Sequence, residues 1–312
     1  MAVTKETKAP VVITGFEDAT PLLDDPAALR RVADEEGVLF FRGLLPREHV
    51  MEVRRQLLLV LDGFGWLRKD ADLTEGYVNP DAVRDLESWG GTGVTEAAYL
   101  ATQKVEIFHR LAHHPDLIRM YEALFGVAVL PHPRNIARLM VPCPAARPTP
   151  IHQDFIHIQG TRNVWTCWAP LGDIPIELGG LSVMPRSHKL GVLSVTAAEG
   201  AGGLETILCE VNLPWIEEEY RAGDVLTFNS CTVHKSLPNL TPERVRLSVD
   251  YRYQPADEDI EEKSLQPHMH VATWDEIYAD WPNDELKYYW TRHDLQLSPW
   301  DEIIRWQKEK IC

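Results

Sequence analysis

The sequence predicts an α+β fold that is mainly β, with helices ahead of an antiparallel barrel or sandwich. Between residues 127 and 253, short runs of β-branched and aromatic residues are separated by Pro, Gly and Asn, a pattern typical of antiparallel strands. Residues 15–126 instead carry helix start and stop signals. Hydrophobic residues make up 45% of the chain and charged residues 25%, which is ordinary globular composition with enough apolar surface for a core.

The first helix is bounded by clear capping residues. Asp25 is a candidate N-cap, Pro26 occupies the first helical position, and Gly37 follows the last. The short apolar run at residues 38–41 comes next and predicts a strand.

A second helix is predicted to open at Pro46 and to stop at Gly63. Its apolar residues recur at helical spacing, so we expect this face to cover a sheet. They are Val50, Val53, Leu57 and Leu61.

The next segment, residues 64–93, is rich in Gly, Asp and aromatic residues without clear periodicity. Its length suggests a functional loop or lid, or a surface loop. The helical pattern resumes over residues 95–125 and is interrupted at His113-His114-Pro115. We expect Pro115 to start a new helix that ends at Gly126.

Six strands are expected in the β-rich region, and together they predict one elaborated domain over residues 15–255. In this division, residues 1–14 are a tail, 15–126 a helical part and 127–255 the β core. An acidic extension, 256–312, carries five of the ten tryptophans and is expected to pack across the barrel or a second subunit. The expected strands are residues 135–140, 151–158, 164–169, 181–184, 225–228 and 244–253.

The charge of the chain excludes several classes of partner. A formal net charge of −16 repels nucleic acid and anionic membranes unless basic residues cluster locally. No apolar run is long enough to span a membrane, and the polar start carries no signal peptide pattern.

Five widely spaced cysteines without a CxxC pair argue against a zinc site and a disulfide framework. We therefore expect a cytoplasmic protein with a small-molecule substrate and no nucleic-acid or membrane partner. The oligomeric state is open, with a homodimer as one alternative.

The strongest chemical signal is His152-Gln153-Asp154, which lies in a strand-like run. Side chains alternate faces along a strand, so His152 and Asp154 are predicted to point to the same side. His234, which follows a predicted turn and strand, is the best candidate for a third ligand. Two histidines and one carboxylate form the facial triad that binds Fe(II) and leaves positions open for co-substrate and O2.

From Gly37-Val38-Leu39-Phe40-Phe41-Arg42-Gly43 to Tyr253, the sequence resembles the phytanoyl-CoA dioxygenase family of iron and 2-oxoglutarate oxygenases. The resemblance implies a double-stranded β-helix, also called a jelly roll or cupin-like fold, with the N-terminal helices packed on its major sheet and a C-terminal helical extension. The specific matches are Pro150-Ile151-His152-Gln153-Asp154-Phe155, Gly179-Gly180-Leu181, Pro185-Arg186-Ser187-His188-Lys189, Ala222-Gly223-Asp224-Val225 and residues 234–253.

The same resemblance implies the chemistry and the cofactors. Fe(II) would be held by His152, Asp154 and His234, with 2-oxoglutarate and O2 as co-substrates and succinate and CO2 as products. The reaction would be hydroxylation, desaturation or ring formation on a small-molecule metabolite. Related halogenases lack a carboxylate at the position of Asp154, so this residue favours those reactions over halogenation.

The 2-oxoglutarate site is expected on the strand that follows His234. A guanidinium can bind a carboxylate through two parallel hydrogen bonds, which lysine cannot reproduce. Arg246 with Ser248 resembles the Arg-x-Ser pair that binds the distal carboxylate in related oxygenases, and Ser236 matches a family position that helps to hold the same co-substrate. Arg244 is the alternative arginine, because the loop before this strand varies in length in the family and places the expected arginine between the two. Alternation predicts that Arg244, Arg246, Ser248 and Asp250 share one strand face.

Two other interpretations compete at this point. A metal-dependent hydrolase or isomerase on a cupin-like barrel could use the same triad to activate water, although it would not need the arginine. A non-catalytic binding module would not need to keep all three ligands with that arginine. The identity of the substrate is open, and we hypothesise a pocket closed by residues 64–93 and by the C-terminal extension.

Overall fold

The computed structural model describes residues 11–89, 93–209 and 211–304. Helices dominate the first part of the chain, and short 3₁₀ turns connect many of the later elements. The α-helices are α1 Pro26–Glu36, α2 Arg47–Gly63, α3 Pro80–Val83, α4 Glu96–Gln103, α5 Glu106–Leu111, α6 Pro115–Phe125, α7 Phe155–Ile158 and α8 Trp274–Tyr278. The 3₁₀ turns are Thr20–Asp24, Leu73–Glu75, Ile176–Leu178, Ser187–Leu190, Glu262–Leu265, His268–His270 and Tyr289–Arg292.

The strands form two main sheets and two small pairs. The larger sheet has the order β2-β10-β5-β12-β3, with β4 also paired to β12, and the smaller sheet has the order β1-β9-β6-β11. The strands are β1 Val12–Thr14, β2 Val38–Phe41, β3 Val129–Pro131, β4 Ile136–Met140, β5 Trp165–Pro170, β6 Leu181–Val183, β7 Val195–Ala197, β8 Leu204–Thr206, β9 Trp215–Glu217, β10 Val225–Asn229, β11 His234–Ser236, β12 Arg246–Pro255, β13 Ile260–Glu261 and β14 Leu297–Ser298.

The predicted boundaries of the first helices are confirmed. The Asp25 side chain accepts a hydrogen bond from the backbone N–H of Ala28 at 3.0 Å, so it caps the start of α1. Gly37 ends α1 with φ 67°, in the left-handed region that glycine adopts at no steric cost. Helix α6 likewise begins at Pro115 and ends before Gly126, whose φ is 76°.

Two apolar layers lie on opposite sides of the larger sheet. The predicted face of α2 is fully buried and packs, with α1, α4, α5 and α6, against one face of this sheet. A second cluster joins β2, β5 and β10 to β6 of the smaller sheet. Helices therefore cover the outer face of the larger sheet, while its inner face turns toward the smaller sheet.

Alternation along β12 separates core from polar positions. Leu247, Val249 and Tyr251 lie in the cluster under the helices. The residues between them point to the inner side and line cavities there. They are Arg246, Asp250 and Arg252.

The C-terminal extension has an aromatic cluster of its own, which contains Trp274, Trp281 and Trp290. The indole N–H of Trp281 donates to the Lys104 carbonyl at 2.9 Å, and the Tyr289 hydroxyl donates to the Pro131 carbonyl at 2.7 Å. These bonds fasten the extension to the helical part and to β3. No helix in the described ranges combines the length and apolarity that crossing a membrane demands.

The strand expected at residues 151–158 is wrong. His152 makes an isolated antiparallel bridge with His234, but Asp154 has φ −64° and ψ −30°, which is helical backbone, and α7 begins directly after it. The backbone N–H of Phe155 bonds to the Ser230 carbonyl at 2.9 Å, so the chain turns away from the sheet here. His152 and Asp154 therefore converge through a turn and not through strand alternation.

Candidate metal centre

Three buried side chains from two separated segments meet between the sheets. His152, Asp154 and His234 each offer a ligand atom, and these atoms all lie within 4.8 Å of one another. The Nε2 atoms of His152 and His234 lie 3.5 Å and 4.0 Å from Asp154 Oδ1. No other group of this kind occurs in the described part of the chain.

Hydrogen bonds to the backbone fix the orientation of both imidazoles. His152 Nδ1 lies 2.8 Å from the Pro150 carbonyl, and His234 Nδ1 lies 3.0 Å from the Thr232 carbonyl. A carbonyl can only accept, so each Nδ1 carries the proton and each Nε2 presents a lone pair toward Asp154. This is the outer hydrogen bonding typical of metal-ligating histidines.

Gln153 holds the turn between the two ligands. Its buried amide donates to the carbonyls of Gly191 and Cys231 at 2.8 Å and 2.6 Å, and its oxygen accepts from the Leu193 backbone N–H at 2.8 Å. These three hydrogen bonds hold the turn against the loop that contains Gly191 and Leu193 and against the loop that contains Cys231.

The Asp154 carboxylate is contacted by two residues of the larger sheet. The Thr166 hydroxyl donates to Oδ2, and Arg252 Nη2 lies 3.5 Å from Oδ1. Burial would raise the pKa of Asp154, but the guanidinium of Arg252 holds this pKa well below its ordinary value. Burial, followed by the nearby His152, lowers the pKa of His234 to about 3.

The donor set fits a divalent metal ion. A metal binds carboxylates that are ionised and imidazoles that are neutral, and the surroundings of Asp154 and His234 favour these forms. Two imidazole nitrogens and one carboxylate oxygen are the ligands of the facial triad that selects Fe(II).

A small pocket beside the triad contains Arg246, which is 2% exposed. Its Nη1 donates to Ser248 Oγ at 2.6 Å and its Nη2 to Ser236 Oγ at 2.9 Å. Its Nε has no hydrogen-bond partner among the described residues. The residues predicted to hold 2-oxoglutarate, Arg246, Ser248 and Ser236, therefore contact one another, and Arg246 and Ser236 line the pocket that also contains the triad.

Arg244 lies elsewhere. It precedes β12, pairs in an isolated bridge with Tyr77, and lines a separate cavity together with Arg47 and Arg54. Strand alternation does not extend back to it, because the regular pairing of β12 begins at Arg246. The expectation that Arg244 shares a face with Arg246 is therefore wrong.

A larger cavity of about 550 Å³ opens from the triad. The C-terminal extension contributes Lys263, His268 and Trp300 to its wall, and the β7–β8 hairpin contributes residues 200–203. None of the residues described between 64 and 93 lines this cavity. The extension thus contributes to the wall of the cavity, whereas no described residue of the 64–93 segment does.

Two residues of the site were missed from the sequence, Thr166 and Arg252. They are direct partners across β5 and β12, a register that one sequence does not reveal. Arg252 does continue the alternation of Arg246, Ser248 and Asp250, and this was the available signal.

Four further residues near the triad divide between pocket lining and apolar core. Arg138 and Trp168 line the small pocket, whereas Trp165 and Phe155 pack into apolar clusters. His188 Nε2 lies 3.0 Å from the Asp34 carbonyl, in keeping with a structural role.

The sequence matches the family described as phytanoyl-CoA dioxygenase (PhyH) over residues 33–247. It is 30% identical over 259 residues to 1-deoxypentalenic acid 11-beta-hydroxylase of Streptomyces arenae, covering 77% of this chain and 85% of the relative. The enzyme of the same name from Streptomyces exfoliatus is 28% identical over 262 residues, covering 78% and 86%.

Solved structures share the fold. The epimerase SnoN of nogalamycin biosynthesis, in complex with Fe³⁺, alpha ketoglutarate and nogalamycin RO, has a TM-score of 0.54 at 23% identity, covering 76% of this chain and 87% of SnoN. The carbocyclase SnoK has a TM-score of 0.51 at 22% identity, covering 75% and 85%. The family match and the hydroxylase relatives together establish that this chain belongs to the phytanoyl-CoA dioxygenase family of non-haem iron, 2-oxoglutarate-dependent dioxygenases.

Proposed function

We propose that this dioxygenase hydroxylates a C–H bond of a small organic molecule bound in the 550 Å³ cavity. The observation that carries the proposal is the convergence of His152, Asp154 and His234, of which His152 and Asp154 line that cavity. The names of the two Streptomyces relatives describe hydroxylation of a small metabolite, which supports hydroxylation over desaturation or ring formation. The size of the cavity is in the range of sites for drug-sized ligands.

In this proposal the triad holds a single Fe(II). The imidazoles supply Nε2 lone pairs that their Nδ1 hydrogen bonds pre-orient, and Asp154 supplies an anionic oxygen that Thr166 and Arg252 hold in place. When bound, iron supplies the redox chemistry that couples conversion of 2-oxoglutarate and O2 into succinate and CO2 to substrate oxidation. The chain itself positions the reactants and excludes water from a site whose ligands are all buried.

Arg246 binds the distal carboxylate of 2-oxoglutarate in this proposal, with Ser248 and Ser236 fixing the guanidinium. The two serine hydroxyls engage both terminal nitrogens, so the plane of the guanidinium is set before the co-substrate arrives. A hydrolase or isomerase that activates water at the triad has no use for this buried cation. Arg246 therefore favours an oxygenase over that alternative.

We also propose that the two sheets form a double-stranded β-helix. In support, β10, β5 and β12 of the larger sheet are antiparallel neighbours, and β6 and β11 of the smaller sheet are likewise antiparallel. The apolar cluster that joins the sheets lies beside the triad. In the same scheme, residues 15–255 form a single oxygenase domain, and residues 256–312 are an extension that closes the cavity.

The proposal is tested by measuring succinate formed from 2-oxoglutarate under air, with and without added Fe(II), and again under nitrogen. We expect succinate only when iron, 2-oxoglutarate and O2 are all present, because each is consumed or required in the same turnover. Succinate formation that does not depend on iron or O2 would contradict the proposal. A hydroxylated product carrying one oxygen atom from ¹⁸O2 distinguishes hydroxylation from desaturation and ring closure.

A further inference from the structure

One histidine of the C-terminal extension presents an unused ring nitrogen to the large cavity. His268 lines this cavity together with His152 and Asp154. Its Nδ1 lies 2.7 Å from the Tyr99 hydroxyl. Its Nε2 has no hydrogen-bond partner among the described residues and is not shielded by them. The second nitrogen of the ring is therefore open to the cavity.

The Tyr99 hydroxyl decides which ring nitrogen of His268 carries the proton. Tyr99 is fully buried on α4, and in the described part of the chain its hydroxyl has only His268 Nδ1 as a hydrogen-bond partner. A buried O–H without an acceptor is costly, so the hydroxyl donates and Nδ1 accepts. Burial also raises the pKa of Tyr99, which keeps its hydroxyl protonated. A neutral imidazole that accepts at Nδ1 carries its proton on Nε2.

The His268 imidazole is held in its neutral form. Burial, followed by the positive charges of Arg138, Arg134 and Arg252, holds the pKa of His268 well below its ordinary value of 6.5. The Nε2–H group is therefore a neutral hydrogen-bond donor and not part of a cation.

The turn that carries His268 is fixed by contacts with the rest of the chain. Arg134 donates from Nε to the Gln266 carbonyl at 3.1 Å. Met269 and His270 have φ values of 56° and 52°, in the left-handed region that residues other than glycine seldom adopt. Such backbone persists where the surrounding structure imposes it. The position of the His268 ring is thus set before any ligand arrives.

The co-substrate does not account for this donor. Arg246 and Ser236, which we propose as the 2-oxoglutarate site, line the small pocket beside the triad, and His268 does not line that pocket. His268 instead lines the large cavity. The donor therefore faces the space that the proposed function leaves for the substrate.

We propose that His268 binds the substrate by donating a hydrogen bond from Nε2 to an uncharged oxygen, such as that of a ketone, hydroxyl or ether. This inference rests on the proposed function, because it places the substrate in the cavity beside the triad. A neutral imidazole gains no ion-pair energy from an anion, so an uncharged oxygen matches it.

The rest of the substrate lies against an apolar part of the same wall. Ile136, Ile158 and Met269 line the cavity, and apolar walls with a few placed polar groups are usual for small-molecule sites. The substrate class is thus an apolar molecule with an oxygen function. The hydrogen bond at His268 determines which part of that molecule lies over the triad.

The tautomer of His268 is tested by NMR of the metal-free protein labelled with ¹⁵N-histidine. Long-range ¹H–¹⁵N correlations distinguish a proton on Nδ1 from one on Nε2, and the signals that disappear in His268→Gln assign the ring. We expect the proton on Nε2 in wild type. Tyr99→Phe should move part of the population to the Nδ1–H form, because the hydroxyl that donates to Nδ1 is gone. A wild-type ring with its proton on Nδ1 would contradict the inference.

Ligand binding is tested by isothermal titration calorimetry of the anaerobic protein with Fe(II) and saturating 2-oxoglutarate. The probes are camphor, fenchone and cyclooctanone, each paired with the alkene in which a methylene group replaces the carbonyl oxygen. We expect at least one ketone to bind about three- to tenfold more tightly than its alkene, which is the range of a neutral hydrogen bond.

Three variants separate the hydrogen bond from packing. His268→Leu should abolish the preference for the ketone and leave binding of the alkene unchanged. His268→Gln, which can place an amide N–H near the position of Nε2, should keep part of the preference. His293→Leu, at an exposed histidine of the same extension, is the matched control and should bind both probes as wild type does.

The inference is overturned if no ketone binds, if the alkenes bind equally well, or if His268→Leu keeps the wild-type preference. The dissociation constants of Fe(II) and 2-oxoglutarate are measured separately and should not change in His268→Leu. If the wild-type protein bound neither, the proposed function would fail. The tautomer and the ketone preference would still be measured on the metal-free protein, so the two failures are distinguishable.

Discussion

At the scale of single residues, hydrogen bonds decide which atoms face the metal position. The Nδ1 bonds of His152 and His234 to backbone carbonyls leave both Nε2 atoms directed at Asp154. Thr166 orients the Asp154 carboxylate in the same way. Its hydroxyl donates to Oδ2, and Oδ1 faces the two imidazoles.

Thr166→Val should therefore weaken iron binding while keeping the shape of the side chain. Removing an outer hydrogen bond from a metal ligand commonly costs about 10- to 100-fold in metal affinity. Competition with a chelator measures the dissociation constant, and Thr166→Ser, which restores the hydroxyl, should return it close to the wild-type value. If the valine variant bound iron as tightly as wild type, Thr166 would have no role in holding the metal ligand.

Arg246→Gln should raise the dissociation constant of 2-oxoglutarate by about 10- to 100-fold, since hydrogen bonds to a charged group contribute about 1.5–3 kcal/mol. Arg244→Gln is the matched control two residues earlier, and it should leave 2-oxoglutarate binding unchanged because Arg244 lines a different cavity. Fluorescence or calorimetric titration of both variants decides between the arginines. If Arg244→Gln weakened 2-oxoglutarate binding and Arg246→Gln did not, Arg244 would be the residue that binds the distal carboxylate.

The sequence predicted the site residues whose side chains are typical of metal or carboxylate binding. It did not predict the residues that reach the site only through the pairing of two strands. His152, Asp154, His234 and Arg246 were named because metal ligands and a carboxylate clamp need particular side chains. Thr166 and Arg252 are unremarkable in type, and they reach Asp154 only through the register of β5 against β12. Such a register depends on tertiary structure and is not encoded in local spacing.

At the scale of elements, the helices that cover the larger sheet supply much of its burial. Helix α2 was predicted from the spacing of its apolar residues, and its capping residues placed both ends correctly. The strand predicted at residues 151–158 is wrong because alternation of apolar and polar residues also fits a turn that leads into a short helix. There the ligands converge because the chain bends, which periodicity cannot distinguish from a strand.

Leu57→Ala on α2 should destabilise the protein by about 2–5 kcal/mol, because it opens a cavity in the core. Leu57 is fully buried. Leu59→Ala, on the same helix at a position that is 41% exposed, is the control and should change the free energy of unfolding by less than about 0.5 kcal/mol. Equal effects in urea unfolding would contradict the assignment of the buried face.

At the scale of the whole molecule, two sheets bring distant parts of the chain to one site, and residues of the extension line the cavity beside it. The overall charge is strongly negative, yet the cavity wall is locally cationic. A net charge gives no information about where individual cations lie, so composition alone could not predict this cationic wall.

Buried histidines should make the fold sensitive to acid. Burial lowers the pKa of His109 and His113 to about 4 and of His132 to about 3. In the unfolded chain these groups titrate near their ordinary value of 6.5. Between these values the unfolded state binds more protons than the native state, so stability falls as the pH falls.

Calorimetry of the metal-free protein should therefore show Tm decreasing as the pH is lowered from about 7 to about 5. His132→Gln removes one of these groups and should flatten the curve. His293→Gln, at an exposed position, should leave its slope unchanged. A Tm that is constant or rises over this range would contradict the neutral burial of these histidines.

The central claim is that Asp154 and the two histidines hold one iron, and the most direct measurement is iron content per chain after anaerobic loading and gel filtration. Wild type should retain a single Fe(II) per chain, and so should Asp280→Ala, a control at an exposed carboxylate. Asp154→Ala should retain less than about a tenth of this amount, because it removes the only anionic ligand of the triad. If Asp154→Ala keeps the iron content of the wild type, the iron is bound elsewhere and the account is wrong.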